Sequence, residues 1–197
     1  LGDPNFVNFD LDEILSDKNI EDIFNKIELN SCSNVGDLNI PAHPETIYLT
    51  VVDKDLNSVS IINSVCYVFG SGITTNKSGI LLHNRGTNFR VEHGHPNCIE
   101  GLKRPLHTII PGMVIDKDNN TTLSYGVMGG QYQPVGQVHV LNNMIDYGMG
   151  PQEALSFPRA FHFNNIYKLE KSVDNQIFSE LKEIGHNVEY IDGTHGG

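Results

Sequence analysis

Four short segments hold residue types that could do chemistry: a hydroxyl nucleophile, paired backbone donors and an anion-binding cation. Thr46 opens T-x-x-x-x-VVD at 46–53, FGSG stands at 69–72, KRPLHT at 103–108 and MGG at 128–130. A threonine hydroxyl is a weak nucleophile at neutral pH and needs a base beside it. A free α-amino group, with an ordinary pKa of about 7.7–8.0, suits that task, but an internal threonine has none. Gly129 and Gly130 follow a β-prone run and precede a helical one. Backbone N–H groups at such a junction can meet a developing oxyanion, and glycine lets the backbone approach closely. Taken singly, each feature has an ordinary alternative: Thr46 as the start of a strand, Ser64 as a surface strand residue, the glycine pair as a tight turn. Arg104 serves equally as an anion binder or as half of a structural ion pair. HGHPN at 93–97 invites a metal, but no carboxylate or third histidine stands at ligand spacing from His93 and His95. No metal and no cofactor are expected, and His139 and His162 are read as structural.

The elements that must position these residues follow from periodicity. FDLDEILSDKNIEDIFNKIE, 9–28, spaces Leu11, Ile14, Leu15, Ile20, Ile23, Phe24 and Ile27 for two short amphipathic helices broken near Ser16–Asp17. The polar, Gly- and Pro-containing stretch 31–45 reads as an exposed linker. TIYLTVVD, the turn KDLN and SVSIINSVCYVF predict a β-hairpin over 46–69, with Ser64 on its second strand. ILLH predicts a buried strand, and 84–104 a long binding loop. TIIPGMVIDKD and NTTLSYGVMGG predict a second hairpin. Helices follow over 131–150, from Pro151, and after Ser172 as a candidate cap, the last ending at Gly185. Strands first and helices second suggest stacked layers rather than alternating βαβ units.

The chain has 197 residues and a formal net charge of −11, which argues against nucleic acid, since phosphate binding needs clustered Lys and Arg. No run of eighteen apolar residues predicts a membrane span. Cys32, Cys66 and Cys98 form no even framework and fit a reducing compartment, so a cytoplasmic location is expected. Secretion or the periplasm stays open, because Leu1 is not Met and the gene product can begin upstream.

Together and in this order, the four segments resemble the small subunit of the gamma-glutamyltransferases, from about Glu45 to Gly197. Residues 1–45 resemble the tail of that family's large subunit, and the similarity looks closest to a microbial gamma-glutamyltransferase-like branch. The resemblance implies an α+β, four-layer αββα sandwich of the N-terminal-nucleophile hydrolase type. It would be completed by a large-subunit portion of the same precursor, which is not in this chain. It implies self-cleavage between Glu45 and Thr46, which gives Thr46 the missing amine and makes it the nucleophile. It implies a supporting hydroxyl at Ser64 and an oxyanion hole at Gly129 and Gly130. Thr108, with His107 beside it, falls where the family's paired serines hold the substrate α-carboxylate. The implied activity is transfer of a γ-glutamyl or related acyl group from a small-molecule, glutathione-type amide to water or an amine. Self-association of the resulting heterodimer is left open.

The chain departs from the family around the acyl group. LLHNRGTNF, 81–89, matches the segment that grips the substrate α-ammonium with Gln or Glu and Asp, but here Arg85 and Asn88 hold those places. Asn88 accepts a hydrogen bond without adding charge. Two like charges 4 Å apart repel by roughly 4 kcal/mol at an effective dielectric of 20, so Arg85 disfavours an ammonium. Cys66 stands where better-studied members have Asn. A glutaryl or cephalosporin-type acylase is therefore the first alternative. An uncleaved, non-catalytic binding protein is the second.

Overall fold

The computed structural model describes residues 2–33 and 45–197, so most of the expected linker lies outside the described residues. Two compact units form, one from 2–33, 89–106 and 160–193, the other from 45–88, 107–159 and 194–197.

The second unit holds both predicted hairpins. Strand β1 (Glu45–Val52) pairs antiparallel with β2 (Ser58–Cys66), and β3 (Gly112–Ile115) with β4 (Thr121–Tyr125), as two separate two-stranded sheets. Their turns repeat one device. Asp53 Oδ1 accepts from the N–H of Asp55 and Asn57 at 2.8 and 2.9 Å, and Asp116 Oδ1 accepts from Asp118 and Asn120 at the same distances. These bonds to the charged form hold both carboxyls below the usual range, the largest causes being Asn57 and Asn120. Leu56 and Asn119 turn the chain with positive φ.

Strand β1 is patterned inside out. Ile47, Leu49 and Val51 are 51–68% exposed, whereas Thr46 is only 8% exposed. Alternation puts Thr46, Tyr48 and Thr50 on one face, and there Tyr48 and Thr50 hydrogen-bond to Ser124 of β4. Helix α3 (Gln133–Ile145) and helix α4 (Pro151–Ser156), each with proline in its first turn, follow β4. Ile62, Val127, Tyr132, Val140 and Ala154 form the buried apolar residues of this unit together with Cys66.

The first unit opens with helices α1 (Leu11–Ile14) and α2 (Asp17–Phe24), capped by Asp10 and Ser16. The break falls where expected, but the apolar stripe is uncovered, with Ile20 54% and Phe24 70% exposed. Asp3 is buried and takes a two-pronged contact from the Arg104 guanidinium at 2.8 and 3.0 Å, plus the Arg104 backbone N–H at 2.8 Å. That pairing holds the Asp3 carboxyl far below the usual range and makes Arg104 a structural cation.

Three corrections follow. ILLH forms no strand: Leu81 makes one isolated bridge to Thr74, and Ile80 and Leu82 are 60% and 43% exposed, because 70–82 folds back on itself. Residues 160–191 carry a sheet that was not expected: β5 (Ala160–Phe163) pairs with β6 (Ile166–Glu170) through Asn164 and Asn165, both at positive φ. From β6 the chain passes through helix α5 (Asn175–Glu183) to β7 (Val188–Ile191), which pairs parallel to β6. That is one local βαβ unit. The cap of α5 is Asp174, whose Oδ1 accepts from Gln176 N–H at 2.7 Å, instead of Ser172. Among the described residues, no helix is long and apolar enough to cross a membrane.

Candidate active site

Arg104, His93 and His95 lie in the first unit, whereas Thr46, Ser64, Cys66, Arg85, Asn88, His107, Thr108, Gly129 and Gly130 all lie in the second. Its centre is an irregularity at the start of the first hairpin. Glu45 pairs with Cys66 and Ile47 with Asn63, so Thr46 alone opposes both Ser64 and Val65. Such a bulge re-aims side chains and is frequent beside reaction centres. Ser64 Oγ accepts from Cys66 N–H at 3.0 Å, and Cys66 is buried with φ +80°. With Glu45 continuing the strand, Thr46 is buried.

The end of β2 carries the next group. Asn84 N–H donates to Val65 O at 3.2 Å, and Asn84 Oδ1 accepts from Tyr67 N–H at 3.1 Å. The 3₁₀ turn Arg85–Asn88 starts at the next residue, so Arg85 and Asn88, both half-buried, extend from the strand end that holds Cys66. Among the described residues, the Arg85 guanidinium has no carboxylate partner; its backbone N–H donates to His83 Nδ1 at 3.0 Å.

Beyond β4 the backbone turns at Gly129, with φ +130° and ψ 24°, a conformation that favours glycine. Gly130, at φ +58°, begins a 3₁₀ turn that runs into α3. Met128 N–H is occupied by Gly197 O at 2.9 Å, and Gly129 O accepts from Tyr132 N–H at 3.1 Å. The N–H groups of Gly129 and Gly130 have no hydrogen-bond partner among the described residues. They stand at the positive end of a 13-residue helix, where negative charge is favoured.

Thr108 is half-buried and His107 exposed. What fixes Thr108 is a residue the sequence reading missed. Gln133 is fully buried, and one end of its amide lies 2.7 Å from Thr108 O and 3.2 Å from Val127 O. Two carbonyl oxygens require that end to be the NH2 group. One turn later, Gln137 Nε2 donates to Ile110 O. The backbone just before the glycine pair, at Val127, and the segment carrying Thr108 are thus tied to one helix. Two glutamines four apart on the stripe that also holds Val140 were the available clue.

His139 and His162 are packed against neighbours, His139 within 3.2 Å of Asn143 Nδ2 and His162 beside Tyr167. His95 Nδ1 accepts from Asn97 N–H at 3.0 Å.

The family model for gamma-glutamyltranspeptidase matches residues 1–197. The chain belongs to that family. It is 34% identical to the glutathione hydrolase-like YwrD proenzyme of Bacillus subtilis, over 97% of this chain and 37% of that protein. Among solved structures it is similar to the cephalosporin acylase of Bacillus halodurans, with a TM-score of 0.84 and 30% identity over 98% of this chain and 35% of that one. It is also similar to the gamma-glutamyltranspeptidase of Pseudomonas nitroreducens complexed with L-DON, with a TM-score of 0.68 and 26% identity over 76% of this chain and 84% of that one. The α+β fold is that of the gamma-glutamyltranspeptidases, which are N-terminal-nucleophile hydrolases. The chain spans a little over a third of the length of the curated relatives it matches.

Proposed function

We propose that this chain supplies the catalytic portion of a gamma-glutamyltranspeptidase-type amidohydrolase or acyltransferase. Residues 1–45 would end the large-subunit portion of the precursor, and 46–197 would carry the chemistry. The observation that supports this reading best is the juxtaposition at the hairpin start: Thr46 opposite Ser64 in a bulge, in one compact unit with two glycine N–H groups that have no partner among the described residues.

Water hydrolyses the Glu45–Thr46 peptide bond of the precursor, leaving a carboxylate on Glu45 and an α-amino group on Thr46. That amino group accepts the proton of Thr46 Oγ1. Oγ1 bonds to the amide carbonyl carbon, and the charge on oxygen is met by the N–H groups of Gly129 and Gly130. The carbon–nitrogen bond breaks, the leaving amine takes the proton, and an ester on Thr46 remains. Water or an amine then attacks that ester through the same groups. Ser64 supports the threonine hydroxyl, and Thr108, with His107 beside it, holds the far end of the acyl chain. Severing Glu45 from Thr46 would also open the enclosed position that Thr46 occupies in the continuous strand.

Intact mass and a denaturing gel of the full-length gene product test this reading. Two fragments, one beginning at Thr46, are expected. A single unbroken chain after long incubation overturns it in favour of a binding protein.

A specific observation favours a second reading of the acyl donor. Arg85 beside the Cys66 end of β2 has no carboxylate partner among the described residues, and a structural relative is named a cephalosporin acylase. An acyl chain that ends in a carboxylate without an ammonium would pair with Arg85. The matured protein is expected to hydrolyse glutaryl anilide at least about tenfold faster than γ-glutamyl anilide in kcat/KM, as one charge-assisted hydrogen bond of about 1.5–3 kcal/mol allows. Arg85→Gln should erase that preference, and a clear γ-glutamyl preference in the unsubstituted protein refutes the second reading alone.

A further inference from the structure

The proposed nucleophile starts the first hairpin and the proposed oxyanion donors follow the second, and among the described residues no backbone ladder joins the two hairpins. Reactive geometry tolerates errors well below 1 Å, so something else must set the distance between Thr46 and Gly129. A run of four side-chain hydroxyls crosses the gap. Tyr48 Oη lies 3.0 Å from Ser60 Oγ and 2.9 Å from Ser124 Oγ, Thr50 Oγ1 donates to Ser124 Oγ at 2.8 Å, and Ser60 Oγ donates to Gly112 O at 2.9 Å.

Each hydroxyl has one proton to give, which fixes the direction of the run. Ser60 spends its proton on the Gly112 carbonyl, so Tyr48 must donate to Ser60. Thr50 donates to Ser124, so Ser124 donates to Tyr48. All four protons are used, and the chain joins β1, β2, β3 and β4. The tyrosine ring is held as firmly as its hydroxyl. A Cβ added at Gly126 would come within 2.3 Å of Tyr48 Cδ2 and 2.7 Å of Cε2, so the ring lies directly on the backbone at Gly126. Tyr48 is two residues after Thr46, and Gly126 is three residues before Gly129.

Resting on the function proposed above, we infer that Tyr48 is a positioning residue that sets the separation of Thr46 and the Gly129–Gly130 donors, through its hydroxyl bonds to Ser124 and Ser60 and its ring contact with Gly126. It touches no substrate. Its effect lies on attack and on charge development, and the binding of the acyl chain, governed by other residues, is unchanged.

The test uses the full-length gene product and single-turnover release of nitroaniline from whichever anilide the unsubstituted protein accepts. Rates are divided by the amount of chain beginning at Thr46, counted by intact mass, so that incomplete maturation is removed. Tyr48→Phe keeps the ring and deletes the hydroxyl, and Ser124→Ala deletes its partner. Both are expected to slow acylation about 10- to 100-fold with apparent substrate affinity within about twofold of the original. Ser124→Thr, which keeps a hydroxyl, should restore most of the rate. A merely structural role lowers the melting temperature and leaves the rate per cleaved site unchanged, and that result in both variants overturns the inference. If Tyr48→Phe fails to mature, Ser124→Ala decides alone. An unsubstituted protein that releases no nitroaniline defeats the underlying reading together with this one, whereas normal release with unaffected variants defeats only this one.

Discussion

Thr46→Ala should leave the polypeptide uncut between Glu45 and Thr46 and reduce amide turnover to background. The two losses share one cause. In the precursor the Thr46 hydroxyl is the proposed group that attacks the preceding carbonyl, and in the matured protein it is the proposed acyl carrier. Removing a nucleophile that works as a unit with its base costs on the order of 10⁴–10⁶ in kcat. Folding is not the explanation to be feared. Thr46 is small, and it stands at the end of a hairpin whose other ladder pairs, Ile47 to Val52 with Ser58 to Asn63, remain. The thermal midpoint should therefore move by only a few degrees, as is usual for a change of about 1 kcal/mol. Thr46→Ser separates hydroxyl chemistry from side-chain shape: it should cleave and turn over, more slowly, because the lost methyl group no longer restricts rotation about χ1. Intact mass and anilide hydrolysis measure both. A Thr46→Ala protein that matures and hydrolyses amides at the normal rate ends the proposed mechanism.

How much of this was legible in the sequence depends on the range of the interaction involved. Both hairpins around the site could be read because their signals are local: β-branched runs flanking D-K-D-x-N turns whose first aspartate bonds to the two backbone N–H groups that follow. The hairpin pattern put Ser64 on the strand beside Thr46, and the register sets Ser64 across from Thr46. The bulge itself was not legible, since it is a mismatch between two strands and leaves no mark on either one. Tyr48 and Gln133 were passed over for a similar reason. Each works through partners 12 to 76 residues away for Tyr48, and through carbonyls of Thr108 and Val127 for Gln133. The missed β5–β6 hairpin is different in kind. Its Asn164–Asn165 turn was in plain view, but the run AFHFNNIYKLE was overlooked between two helical patterns.

The inside-out pattern of β1 connects these observations to the chain's length relative to its relatives. Strand alternation ordinarily buries the apolar side, yet here Ile47, Leu49 and Val51 are exposed and the hydroxyl-bearing side faces the second hairpin. The uncovered residues of α2 follow the same rule. An apolar strand face of this kind is normally buried against another layer, and the chain corresponds to a little over a third of proteins such as the Bacillus subtilis proenzyme. The polar face is therefore the one that the fold devotes to the site, and the hydroxyl run is its means of holding two hairpins together without a shared ladder.

Gly129→Ala should cost the second largest loss, about 10²–10³ in kcat, the usual consequence of removing one oxyanion donor. The residue is constrained twice. At φ +130° its backbone conformation is rarely adopted by residues with a side chain, and an added Cβ would lie 3.1 Å from Gly196 Cα and 3.3 Å from Tyr132 Cβ. Alanine must therefore rotate the peptide, and the N–H vectors of Gly129 and Gly130 rotate with it. The Gln133 bonds to Thr108 O and Val127 O do not depend on those N–H groups, so the substrate segment should stay in place. That predicts a particular split: kcat falls, while KM for the anilide changes by no more than about threefold. Cleavage between Glu45 and Thr46 also develops negative charge on a carbonyl oxygen, but at Glu45 instead of at a bound substrate. If maturation proceeds at the normal rate in Gly129→Ala while anilide hydrolysis collapses, the glycine pair serves the substrate alone. If both slow together, one oxyanion site serves both reactions, and if neither slows, Gly129 is a turn residue and the oxyanion assignment is wrong.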